Sequence, residues 1–139
     1  MRPLHTARQE GVNVHANVNK THGEEMKPIK RIRRFINKWS WIVTSLGWKF
    51  DVCYCDCTQD MPRDASDGAI AITYPQFSYM TAKIYFNLEK VKNENDDYLE
   101  EIVIHELTHL LVSPMHEGQE EYTVTTISRL IRQRAEGNQ

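Results

Sequence analysis

Residues 105–109 read His-Glu-Leu-Thr-His, two imidazoles with a carboxylate next to the first. On a helix, positions i and i+4 differ by about 40° of rotation and about 6 Å of rise, so both rings can converge on one ion. Glu106 then sits about 100° round the axis from His105, within reach of a water on the open side of that ion. The chemistry this permits is metal-assisted hydrolysis, with His105 and His109 as ligands and Glu106 as general base.

A catalytic zinc ordinarily takes three protein ligands and leaves a fourth position for water. Candidates for the third follow in the chain. His116 lies close to the last position of the longer pattern HExxHxxGxxH, but that pattern needs Gly at 112 and His at 115, where this chain has Val112 and Met115. The others are Glu120 and Glu121. If the two last helices form an antiparallel hairpin through the link at 113–118, this pair stands about one turn beyond the link, level with His109 one turn before it. Glu120 shares a helical stripe with Val124, Ile127 and Ile131, which favours it on periodicity alone.

The elements that must position these groups are legible as patterns. A helix is expected from Asn93–Asp97 to about Ser113, with Asp97 as cap and Glu100 completing a capping box, and with Pro114 ending it. Its apolar residues, among them Tyr98, Leu99, Val103 and Leu107, spread round most of the circumference, so burial on nearly all sides is expected. Two histidines and a glutamate inside such a helix would each cost a few kcal/mol unless partnered, and a shared metal partners all three. The last helix is expected over about 119–135, with Val124, Ile127, Leu130 and Ile131 facing inward.

Upstream, Ile29, Ile32, Phe35, Ile36, Trp39, Ile42, Val43 and Leu46 recur at steps of three and four from Pro28 to a stop at Gly47, one amphipathic helix. Its other face carries Lys30, Arg31, Arg33, Arg34 and Lys38, a cluster that could touch nucleic acid but is ordinarily a solvated face. Strands are expected at 48–57, 69–74 and 82–88, the first covered on both faces. Cys53, Cys55 and Cys57 would share one face of that first strand. Three cysteines so close make a poor disulfide framework, and buried reduced thiols are the ordinary reading beside a thiolate metal site.

The run 48–131 resembles the minimal core of zincin-type zinc metallopeptidases, and among them it is most similar to gluzincins, including ImmA-like regulatory peptidases and small HExxH proteins of phages and bacteria. The resemblance implies an α+β fold: a small mixed sheet of about three strands packed with an N-terminal helix, a central HExxH helix and a C-terminal glutamate helix. It implies zinc as cofactor and Glu121 as third ligand, with Val124 at the small apolar place and Thr125 at the place behind it. The chain departs from the usual pattern in the short interval between His109 and Glu121 and in Thr125, where an acid is usual. It further implies a polypeptide substrate held along a strand edge near Ala82–Leu88. Separately, His116, Tyr122 and Tyr79 are candidate donors to an oxyanion.

The whole chain has 139 residues and 40% apolar composition, enough for one core. Residues 1–27 lack periodicity and read as a flexible leader, leaving 28–139 as a single domain. The net charge of -2 gives no global field toward nucleic acid or anionic membrane. No apolar run approaches the roughly 18 residues of a membrane span, and the first residues lack the apolar segment of a secretory signal. A cytoplasmic protein that contacts no membrane is expected.

Overall fold

The computed structural model describes residues 8–11, 23–112 and 117–137. The first amphipathic pattern is not one helix: it is divided between α1 (Gly23–Trp39) and the short α2 (Trp41–Thr44), and Leu46, expected on the apolar face, lies outside at 59% exposure. Ile29, Ile32, Phe35, Ile36 and Trp39 are all buried, as are Ile42 and Val43 after the junction at Ser40. The chain leaves α2 through a Schellman closure: Gly47 N–H bonds Thr44 O at 3.0 Å and Trp48 N–H bonds Val43 O at 3.2 Å. That closure needs a left-handed residue, and Gly47 has φ +97°.

The fold is α+β. Strands β2 (Lys49–Cys55), β3 (Ala71–Gln76) and β4 (Thr81–Asn87) form the body of a mixed sheet. A fourth strand, β1 (Arg8–Gly11), pairs antiparallel with β2, giving the order β1-β2-β4-β3. Within 1–27, therefore, the sequence pattern misses two elements, β1 and the first turn of α1. Main-chain pairing to an open edge requires no apolar alternation, so β1 leaves no such mark. Helix α1 begins at Gly23, ahead of Pro28.

β2 and β4 run parallel, and β3 turns back onto β4 through a 3-10 turn at Phe77–Tyr79 followed by Met80 at φ 53°. β3 includes Pro75, an edge-strand residue because it has no N–H to give a ladder. β4 is interior, paired on both sides, so the substrate edge expected at Ala82–Leu88 does not exist there; the outer strand is β3. Alternation sets the sheet's inner face: Phe50, Val52 and Tyr54 of β2 and Ala82, Ile84 and Phe86 of β4 belong to one core with α1 and the helix that follows.

Helix α4 (Asp96–Thr108) follows a one-turn helix α3 (Leu88–Val91). Its cap is Asn95, not Asp97: the Asn95 side chain accepts the Tyr98 N–H at 2.8 Å, while Asp96 and Asp97 occupy the first turn and face the dipole. Leu99, Val103, Ile104 and Leu107 are fully buried, but Tyr98 is 45% exposed, so one side of α4 is open rather than enclosed. The α-helical geometry stops at Thr108, and His109–Leu111 continue as a 3-10 turn. Helix α5 (Glu117–Gly137) packs back against α4. On α5 Val124 and Ser128 are buried, while Leu130 lies outside at 59% exposure, against the inward position expected for it.

The basic face of α1 serves largely to hold α4. Arg31 and Arg34 both reach Asp96 at 2.8 Å, and Lys38 reaches Glu100 at 2.8 Å. Trp39 Nε1 donates to the same Glu100 carboxylate at 2.8 Å. Burial alone would raise the pKa of Glu100, but the hydrogen bonds from Lys38 and Trp39 and the charge of Arg132 bring it below the ordinary value.

The three thiols are free. Cys53 and Cys55 alternate on β2 and are wholly buried, whereas Cys57 lies beyond the strand end, so the three do not share a strand face. Cys57 donates to Asp60 at 3.3 Å. Burial is the main cause that pushes Cys53 up to about 11 and Cys55 up to about 12, keeping both as neutral thiols. No described helix is long and apolar enough to cross a membrane.

Candidate metal and hydrolytic site

His105 lies on the last turn of α4 and His109 at its junction with the 3-10 turn, their ring centroids 5.0 Å apart. The side chain that meets them comes from α5. His105 Nε2 lies 3.3 Å from Glu121 Oε2, and His109 Nε2 lies 3.1 Å from Glu121 Oε1. Ligand atoms of His105, His109 and Glu121 all lie within 4.8 Å of one another. The helical hairpin thus does bring the glutamate pair level with the histidines.

Glu120 stands elsewhere on the same ring: its Oε1 is 3.3 Å from His109 Nδ1. The two glutamates therefore divide between the two nitrogens of one imidazole, Glu120 at Nδ1 and Glu121 at Nε2. This division of labour is not visible in periodicity, which assigns Glu120 to the inner stripe without saying what it touches. His116 lies outside the described residues.

Glu106 is 6% exposed and faces β3. Thr73 Oγ1 donates to Glu106 Oε1 at 2.8 Å and lies 3.2 Å from the Glu106 carbonyl oxygen. Burial raises the pKa of Glu106; the neighbouring His109 and His105 and the Thr73 hydrogen bond oppose that rise, and Glu121 adds to it. A raised carboxyl pKa suits a group that must take and return a proton near neutrality. Thr73 is a residue of the candidate site that sequence reading overlooks. Its sequence sign is a hydroxyl on the inward-facing register of β3, opposite Ile84.

Tyr79 and Tyr122 are exposed at 77% and 78%. Tyr79 sits in the turn between β3 and β4, and Tyr122 follows Glu121 on α5.

The donor set is compatible with a bound metal cation on two counts. Taking one ligand atom from each residue, the donors of His105, His109 and Glu121 lie within 4.8 Å of one another, close enough to share one ion. A neutral imidazole also has only one N–H, yet His109 faces a carboxylate oxygen at each nitrogen. Unless the ring is protonated, one of these contacts opposes lone pair to lone pair, and a cation between Nε2 and Glu121 removes the conflict. Glu120 at Nδ1 then fixes the tautomer that leaves Nε2 free to ligate.

Comparison with family models, with curated proteins and with solved structures gives no match to this chain. The reading of the site rests on its own geometry.

Proposed function

We propose that this protein is a zinc-dependent metallopeptidase in which His105, His109 and Glu121 hold the metal and Glu106 is the general base. The observation that carries the reading is the meeting of both Nε2 atoms on the one carboxylate of Glu121, beside a buried glutamate.

When bound there, zinc would supply the Lewis acidity that acidifies a water toward a pKa of about 7 and polarises a carbonyl. The chain's own residues do the rest. Thr73 holds one oxygen of Glu106 and leaves the other to accept a proton from the attacking water. Glu106 then passes that proton to the departing amine, and the elevated pKa supports both transfers. Glu120 keeps His109 from rotating. The outer edge of β3 lies next to Glu106 through Thr73 and has no strand partner among the described residues, so an extended polypeptide can pair with it as an added strand. With three free thiols and no disulfide among the described residues, we place the activity in the cytoplasm.

The test is metal content and cleavage together. Purified protein should contain close to one equivalent of zinc and cleave an unfolded polypeptide such as casein. Chelation should abolish cleavage, and added zinc should restore it. Protein that is isolated without metal and does not take up zinc refutes the reading.

A further inference from the structure

Beside the His–Glu cluster, α4, α5 and the segment leading into β3 line an open cavity of about 320 Å³. One end is formed by His105 and Glu106. The other extends along α4 to Tyr98, about 10 Å away at 1.5 Å per residue. Ile70, Ala71 and Ile102, all partly buried, give it apolar walls. A cavity of this size can hold one substrate side chain or a chain terminus next to the bond being cut.

Its charges are unequally engaged. Arg132 is only 15% exposed and is consumed by carboxylates: Nη1 is 2.7 Å from Glu101, and Nη2 is 3.4 Å from Asp97 and 3.6 Å from Glu100. Its Nε lies 3.2 Å from Glu136 without hydrogen-bond alignment. Glu101, the acid lining the cavity at this end, is thereby neutralised. Arg129 also lines the cavity, one turn nearer the cluster on α5, and among the described residues it makes no ion pair or hydrogen bond. An exposed guanidinium lining this cavity, with its donors unspent among the described residues, suits a carboxylate.

We infer that Arg129 is a specificity-determining residue that draws a carboxylate of the bound polypeptide into this cavity, either an acidic side chain or the chain's terminal carboxylate. The inference rests on the peptidase reading for its polypeptide ligand, but it is tested by binding and not by turnover.

The experiment uses full-length protein as purified, carrying Glu106→Gln so that ligands are not consumed. Fluorescent heptapeptides in which one glutamate is walked along an uncharged sequence are titrated by anisotropy, each against its glutamine partner. A second pair differs only in a free or amidated C-terminus. At one position, or at the terminus, the acid should bind roughly tenfold more tightly than its amide. Which pair responds identifies the source of the carboxylate. Adding Arg129→Gln should abolish the preference, and Arg129→Glu should transfer it to a lysine-bearing peptide, both with unchanged metal content. No binding by any peptide, equal binding of acid and amide, or a preference that survives Arg129→Gln overturns the inference. Cleavage by the parent protein without any acid preference would sink the inference alone. A clear Arg129-dependent preference with no cleavage by the parent would sink the peptidase reading alone.

Discussion

Thr73, on the edge strand β3, donates a hydroxyl hydrogen bond to the carboxylate of Glu106, on the helix behind that strand, at 2.8 Å. The bond joins the sheet to the base of the site and sets which carboxylate oxygen is free. Replacing Thr73 by Val removes the donor at nearly constant volume. The expected result is a fall of about tenfold in kcat with little change in KM and full retention of zinc, with activity regained in Thr73→Ser. Steady-state kinetics with metal analysis on the three proteins measures this.

Glu106→Gln keeps the shape of the site and removes the proposed proton acceptor. Zinc content should be unchanged while kcat falls by about 10²–10⁴. Cleavage at the parent's rate by the glutamine variant would show that Glu106 is not the base.

The two glutamates of α5 should respond differently to truncation. Glu121→Ala removes the proposed third ligand, so bound zinc should be lost on dialysis against a weak chelator. Glu120→Ala removes only the partner of His109 Nδ1, for which a loss of about 10–100-fold in metal affinity is expected. Competition titration with a chromophoric chelator separates the two, and the reverse order of effects would assign the ligand to Glu120.

Much of the site could be read before the fold was known, because its key interval is local. His105 and His109 face one way by helix geometry alone, and Glu106 follows from the same axis. Glu121 was less accessible, since which glutamate meets Nε2 depends on how α5 is rotated against α4, and both Glu120 and Glu121 turn out to touch His109. Thr73 lies more than thirty residues from Glu106 and could not be linked to it by any periodicity. The same distinction runs through the fold. Apolar alternation located β2, β3 and β4 to within a few residues, whereas β1 is held by main-chain pairing and escaped notice. Asn95 and Asp97 are both acceptable caps by residue type; extended backbone at Asn95, φ -75° and ψ 167°, decides between them.

Glu100 sets a limit on acid tolerance. Its carboxylate accepts from Trp39 and pairs with Lys38, and its folded-state pKa is depressed below the ordinary value of about 4.5. Its stabilising contribution is therefore complete above that value and is lost as pH falls through the lower folded-state pKa. Thermal melts should show stability declining below about pH 4.5, and Glu100→Gln should flatten part of that decline. At neutral pH, Glu100→Ala leaves the Trp39 N–H without its acceptor and should cost about 1–3 kcal/mol.

Gly47 is a backbone requirement and not a packing one. An added Cβ would come no closer than 3.8 Å to Met80 Cε, an ordinary contact, but φ +97° is unfavourable for any L side chain. Gly47→Ala should destabilise by about 1–2 kcal/mol, read as a lowered Tm.

His105, His109 and Glu121 all belong to one helical hairpin, whereas the hydroxyl that steadies Glu106 arrives from a strand far back in the chain. Closing a short loop costs little configurational entropy, so capture of an ion draws on nearest-neighbour order. Readiness for chemistry draws instead on the long-range docking of strand against helix. A partial melting that frees β3 while sparing the hairpin would leave a chain that still sequesters metal and no longer turns over.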